Sequence, residues 1–239
     1  MDFYDLHVDE REAERMVGIA EKLGFTGLGI THIYDGTGKL NTFLDKTEGL
    51  KSEVDVISCC LIKPDSPEEM KKEVTKVRQK VEVVMIDGGD FDINRAAVQD
   101  SRIDVLLHPE YKRKDRGLDH KTTKMAANND VAIGFVFHDL LQTYGKVRSH
   151  IFDHMKSNLD LCERFDVEVL VVSGAKKPLE MRDPKQLASL LQTLGFESSQ
   201  ALLSVSGTPK RIVRKNRSKL SGKTVKKGLE QVGDGDGSA

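Results

Sequence analysis

The chain has 239 residues, 38% of them hydrophobic, enough for one large barrel or two small domains with a substantial core. Its 37 basic and 38 acidic side chains leave a formal net charge of -1, so the mean charge predicts no nucleic-acid partner and charge has to be read locally. Three cysteines, Cys59, Cys60 and Cys162, cannot all pair, and the adjacent two lack the gap of a zinc knuckle, so they read as reduced core thiols of a cytoplasmic protein. The acidic start MDFYDLHVDE, with no apolar run of ~20 residues anywhere, argues against secretion and against a membrane anchor.

The first apolar run, Phe3 to Val8, predicts a strand. Ala13, Met16, Val17, Ala20 and Leu23 follow it at the spacing of one buried helical stripe. Further strands are predicted at Gly27 to Ile33, Val54 to Ile62, Val81 to Ile86, Asp104 to Leu107, Val131 to Phe137 and Val167 to Val172. Most of these runs are too continuous for strands with one wet face, as expected of parallel strands covered on both sides. Met70, Val74 and Val77 repeat the helical stripe after the third run, behind Ser66-Pro67-Glu68-Glu69, a capping box with proline at the first helical position. Asp183-Pro184 and Thr208-Pro209 repeat that cap-then-proline order. After the seventh run only helices are predicted, among them one carrying Leu187, Leu190, Leu191 and Leu194 and stopped at Gly195. The alternation predicts an α/β fold with a parallel sheet. It is expected to be a distorted or incomplete TIM-like barrel of about seven strands over residues 1–219, with an open doubly wound sheet as the alternative. Residues 220–239, basic and then rich in Gly and Asp, read as a disordered tail.

Helix-to-strand connections are short, whereas the strand-to-helix connections Tyr34 to Glu53, Pro109 to Asp119, His138 to Lys146 and Gly174 to Arg182 are long. In parallel α/β folds these emerge at the carboxyl ends of the strands, which makes that edge the functional face. His7, His32, His108 and His138 fall at or near those ends, with Asp9 and Asp87. Imidazoles and carboxylates converging on a barrel mouth are what a metal-dependent hydrolase needs, and His7, Asp9, Asp87, His108 and His138 form the candidate ligand set. Each also has a structural reading: Asp9 heads Asp9-Glu10-Arg11-Glu12, a good helix cap with Glu12 reaching back, and His108 precedes Pro109, where a turn is expected.

Two basic clusters form the second constellation. Lys112, Arg113, Lys114, Arg116, Lys121 and Lys124 fall in and after one long loop, diluted only by Asp115 and Asp119. From Gly207 to Gly228 nine basic residues, including Lys210, Arg211, Arg214, Lys215 and Arg217, occur without an acid, and Ile212 and Val213 give the predicted helix an apolar back. Such a field suits a polyanion. Aromatics are 5% of the chain with no tryptophan, so contacts to folded RNA backbone are favoured over stacking on splayed bases.

Several stretches in order resemble the archaeal and eukaryotic RNase P protein component 3 family: Phe3-Tyr4-Asp5-Leu6-His7-Val8, Asp104-Val105-Leu106-Leu107-His108-Pro109, Gly117-Leu118-Asp119-His120, Val131-Ala132-Ile133-Gly134-Phe135, Val172-Ser173-Gly174-Ala175, Arg182-Asp183-Pro184 and Gly207-Thr208-Pro209-Lys210-Arg211-Ile212-Val213. They span Met1 to about Lys219. The resemblance implies a distorted TIM-like barrel related to the polymerase-and-histidinol-phosphatase group of metal phosphoesterases. It implies a subunit of the enzyme that trims the 5′ leader from precursor tRNA, in which the RNA performs the hydrolysis, the protein carries no catalytic residue or cofactor, and magnesium serves the RNA. The expected partners are the RNase P RNA, RNase P protein component 2 and the other protein subunits, with no membrane. Family positions for RNA carry over to Arg113 and His120 around the middle loop, Arg95 before it, Arg182 after the seventh strand, and more loosely Lys39 and Lys176. The related phosphoesterases open with His-x-His, whereas here the second position is Asp9, which favours the RNA-dependent role over an independent metal-bound active site.

Overall fold

The computed structural model describes residues 1–222, 224–226 and 229–230. Seven strands, β1 (Tyr4–Asp9), β2 (Gly27–Ile33), β3 (Asp55–Ile62), β4 (Val83–Asp87), β5 (Val105–Leu107), β6 (Ala132–Val136) and β7 (Val169–Val172), lie side by side in chain order. Every neighbouring pair is parallel. The helices between them are α1 (Ala13–Leu23), α2 (Thr37–Glu48), α3 (Pro67–Val77), α4 (Phe91–Val98), α5 (His120–Asn129), α6 (Phe137–Leu141) and α7 (Gly145–Arg164); α8 (Pro184–Thr193), α9 (Ser198–Leu203) and α10 (Gly207–Leu220) follow β7. Three of the connections expected to be long loops contain helical segments: α2 within 34–53, α6 overlapping 138–146, and a short 3-10 turn, Pro178–Glu180, within 174–182. The sparse apolar stripe of α2, with only Leu40, Phe43 and Thr47 buried, is too short a signal to read from sequence. Ser66 caps α3 and Asp183 caps α8, each with the following proline in the first turn. Thr208 is not the cap of α10: the helix begins at Gly207 after Ser206, whose hydroxyl bonds Leu202 O at 2.6 Å instead. Glu12 does not reach back to cap either, since it pairs with Arg15 at 2.8 Å.

The sheet closes into a barrel with one irregular seam, which excludes the open doubly wound alternative. Near the carboxyl ends, Asp9 N–H donates to Ala175 O at 2.9 Å and Gly174 N–H to His7 O at 3.0 Å, so β1 and the end of β7 meet directly. Near the amino ends they are wedged apart by Ser204 and Val205, which lie between α9 and α10. Tyr4 N–H donates to Val205 O at 2.8 Å and Val171 N–H to Ser204 O at 3.3 Å. This wedge occupies the place of an eighth strand and satisfies backbone groups that an open edge would leave to water.

Alternation along the strands sorts the core into two layers. Ile57, Cys59 and Leu61 of β3 point into the barrel with Leu6, Met85, Leu107 and Val172, while Cys60 and Ile62 pack outward under the helices with Ile30, Val84 and Ile86. All three cysteines are buried and free.

The amino end of the barrel is stoppered by α10. Ile212 and Val213 join the inner core layer, and Asn216 Nδ2 donates to Glu82 O at 2.7 Å. The basic side chains around that apolar face meet acids at the starts of successive strands. Lys210 pairs with Asp2; Arg211 pairs with Glu168 and, at 3.1 Å, with Asp130. Lys215 lies 3.0 Å from Asp130, and Arg217 binds Asp55 through two bonds of 2.8 Å and also pairs with Glu82. The docked, apolar-backed helix expected from sequence is therefore present, but Lys210, Arg211, Lys215 and Arg217 face acids of the same chain. In the segment expected to be a tail, Thr224–Lys226 and Leu229–Glu230 pair as a short antiparallel hairpin, β8 and β9. The rest of that expectation, 223, 227–228 and 231–239, lies outside the described residues.

Candidate RNA-facing surface at the carboxyl ends of the strands

The end of β5 delivers His108 into the barrel mouth with a backbone φ of 31°, a conformation uncommon outside glycine. Pro109 after it forces the turn. The ring is held on both sides, Nδ1 at 2.7 Å from Asp139 Oδ2 and Nε2 at 2.7 Å from Asp87 Oδ1, and it stacks on Tyr111 with centroids 4.9 Å apart. Lys63 Nζ, from the end of β3, reaches the other oxygen of Asp87 at 3.1 Å. Burial opposes a charged His108, but the hydrogen bonds and charges of Asp139 and Asp87 outweigh it and raise the imidazole to about 10. Asp87 is itself desolvated, yet the bond and charge of His108 with those of Lys63 hold it down to about 2. Beside them His7, bonded through Nδ1 to Thr31 Oγ1 at 3.0 Å, is pushed down to about 4 by burial and by the positive His108.

These side chains do not fit a divalent metal. Both ring nitrogens of His108 serve as donors to carboxylates, and an imidazolium has no lone pair for a metal. Both oxygens of Asp9 are taken by Arg11, at 2.8 and 2.7 Å, so the residue at the second His-x-His position turns away as a cap. His138 sits in α6 with its Nδ1 3.5 Å from Glu180 Oε2. Of the five residues of the candidate ligand set only Asp87 and His108 touch, and among the described residues no three His, Cys, Asp or Glu side chains are arranged to hold a metal. Two members of the network, Lys63 and Asp139, were not among the sequence candidates. Each adjoins a predicted strand end, and that placement was the available signal.

The middle loop leaves the same mouth and is tied on both flanks by buried amides. Asn94 of α4 donates from Nδ2 to Pro109 O at 2.9 Å and Gly117 O at 3.1 Å, while its Oδ1 accepts from Gly89 N–H at 3.2 Å. Asn158 of α7 donates to Arg116 O at 2.7 Å and to Glu110 Oε2 at 3.1 Å. Both asparagines are fully buried. Gly117, at φ 75°, lies so close to Pro109 that an added Cβ would stand 1.9 Å from its carbonyl oxygen. Arg113 grips Asp115 at 2.7 and 2.8 Å and donates to Gly89 O at 3.2 Å. Arg116 Nε donates to Leu118 O at 2.9 Å, and Lys112 lies over the Tyr111 ring at 5.0 Å. Lys112, Lys114, Lys121, His120 and, on α4, Arg95 are exposed.

The remaining expected RNA positions divide. Lys176 is exposed beside a cavity of about 420 Å³ lined also by Arg11, Glu12, His138, Gln142, Lys177 and Glu180. Arg182 stands 5.7 Å over the Phe137 ring and donates to the carbonyls of Leu179 and Met181. Lys39 pairs with Asp35. At the opposite end of the barrel Lys210, Arg211, Lys215 and Arg217 are the stopper's ion-paired side chains, and Arg214 is exposed. The candidate RNA positions thus lie on two ends of the barrel; at the carboxyl end Lys112, Lys114, Arg116 and Lys121 form no ion pair among the described residues, whereas Arg113 pairs with Asp115.

No described helix is long and apolar enough to cross a membrane. The histidinol phosphate phosphatase of Lactococcus lactis, solved with zinc, L-histidinol and phosphate, superposes with a TM-score of 0.55 at 11% identity over 82% of this chain and 95% of that one, a likeness of fold. A chain in a cryo-EM structure of archaeal Ribonuclease P with mature tRNA superposes with a TM-score of 0.82 at 29% identity, covering 96% of this chain and 98% of that one. Ribonuclease P protein component 3 of Methanococcoides burtonii is 34% identical over 90% of this chain and 88% of its own length. The protein of the same name from Methanosarcina barkeri is 30% identical over 98% and 97%. The model of the family described as RNase P subunit p30 matches residues 2–221, and the chain belongs to that family.

Proposed function

We propose that the chain is a protein subunit of ribonuclease P that supports the catalytic RNA while the 5′ leader is removed from precursor tRNA. The observation that carries this reading is similarity to archaeal component 3 proteins over nearly the whole length of both chains, joined to the same barrel in an archaeal Ribonuclease P structure. The site chemistry agrees with it. The barrel mouth holds His108 with both ring nitrogens 2.7 Å from carboxylate oxygens, an arrangement that supports a reading in which the RNA and its magnesium perform the phosphodiester hydrolysis. The RNA phosphates would meet Lys112, Lys114, Arg113, Arg116, His120, Lys121 and Arg95, with Lys176 and Arg182 nearby, and protein component 2 would pack on a separate face. Reconstitution tests the reading: an archaeal RNase P assembled with and without this protein is assayed for precursor tRNA cleavage at limiting magnesium. Cleavage is expected to fall when it is omitted. Equal rates, or stoichiometric metal and phosphoesterase activity in the protein alone, would overturn the assignment.

A further inference from the structure

Twelve residues from His108 to Asp119 form a loop rich in charge, yet its backbone is over-determined. Five backbone carbonyls in and beside it, those of Gly89, Pro109, Arg116, Gly117 and Leu118, each accept a side-chain donor, and four of these bonds come from Asn94, Asn158 and Arg113. Solvent-exposed loops with many cations usually leave such carbonyls to water. Here two amides with no accessible surface reach in from helices on either side, α4 and α7. Between them Gly117 and Pro109 are pressed together at a distance that no side chain at position 117 tolerates. A flexible basic loop would lose conformational entropy at every residue ordered against RNA, and a preformed one has already lost it on folding.

We infer that Asn94 and Asn158 are positioning residues: they hold the 109–117 backbone as a rigid arch that presents Lys112, Arg113, Lys114 and Arg116 to successive phosphates of folded RNA. The inference rests on the reading that this loop faces the RNA. Neither asparagine can touch a ligand, since both are sealed beneath the loop. The arch has its cations on the outside and its amides, Glu110 and Tyr111 beneath, so its outward face suits the phosphate backbone and its geometry.

The test uses the reconstituted assembly with RNase P RNA as the probe. Asn94→Asp is isosteric and removes both Nδ2 donors while keeping the oxygen that accepts from Gly89; Asn158→Leu removes the other anchor. Affinity of the protein-dependent assembly is measured across a salt series, with circular dichroism and thermal melting reporting whether each variant is folded. Folded variants are expected to bind about tenfold more weakly and to show a shallower log-log salt slope, by ~0.7 for each phosphate no longer neutralised. A merely structural role would lower the melting temperature and leave the slope unchanged, and that result overturns the inference. If Asn158→Leu does not fold, Asn94→Asp decides alone. Lys112→Ala with Lys114→Ala, two exposed cations that make no bond to the loop backbone, separates the two levels of argument. If that double variant lowers the slope and folded asparagine variants do not, positioning fails and the RNA-facing reading stands; if the double variant also changes nothing, both fail.

Discussion

At His108 a strained backbone, a buried ring and two carboxylates coincide, and the arrangement favours a charged ring. Breaking a buried ion pair from one side leaves uncompensated charge, so His108→Ala is expected to destabilise the fold by about 3–5 kcal/mol in denaturant titrations. A loss below ~1 kcal/mol would mean that the network does not hold the mouth together. The pH dependence has a definite sign. The His108 contribution is fully present below its ordinary value of 6.5 and is lost as pH rises through about 10. The Asp87 contribution is present above its ordinary 3.8 and is lost as pH falls through about 2. Glu110 has the opposite sign to Asp87: burial raises its carboxyl from 4.5 to about 7 against the nearby charge of His108, so stability declines as pH rises across that interval. Glu110→Gln should abolish that decline and gain, relative to wild type, on the order of 2–3 kcal/mol by pH 8. A parallel pH profile for the two proteins would show that Glu110 stays in one protonation state.

At the scale of elements, α10 is a stopper whose apolar side completes the barrel core and whose basic side is spent on strand-start acids. Ile212→Ala should cost about 2–5 kcal/mol. The partly exposed pairs of Arg211 and Arg217 should each contribute no more than about 1 kcal/mol. Alanine at Arg211 and Arg217 is also expected to leave the RNA salt slope nearly unchanged, whereas alanine at Lys112 and Lys114 lowers it; the reverse order would return the helix to the RNA surface. This is where sequence and structure part. The seven strands and the apolar-backed helix were legible because parallel strands buried on both faces read as unbroken apolar runs, and because Ile212 and Val213 sit side by side on one helical face. The destination of the cations was not legible, since their partners Asp2, Asp55, Glu82, Asp104, Asp130 and Glu168 are spread over the chain. One local pattern was available: each of these acids stands at or just before the start of a strand, so barrel closure gathers them at one end. For the mouth, His108 and Asp87 were legible as strand-end residues. Their mutual pairing was not, because it depends on the lateral order of β4, β5 and β6 and on Asp139 one turn into α6.

For the whole molecule, the two ends of the barrel differ in electrostatics: at the base Lys210, Arg211, Lys215 and Arg217 pair with acids of the same chain, whereas at the mouth Lys112, Lys114 and Arg116 form no ion pair among the described residues. Association with RNA should therefore depend on salt chiefly through the mouth, with a slope set by a handful of phosphates. The seam between β1 and β7 has a different consequence, for how the protein is made. Tyr4 bonds Val205, two hundred residues further along, and Lys210 reaches back to Asp2. A chain emerging from the ribosome amino end first must hold the start of the β1 edge unpaired until Val205 has been synthesised, and contacts of such long sequence separation form slowly. A chain ending after Leu203 should therefore keep the seam bonds of Asp9 and His7 but leave its amino end open, and associate through that bare edge, which light scattering during refolding would register beside the full-length protein.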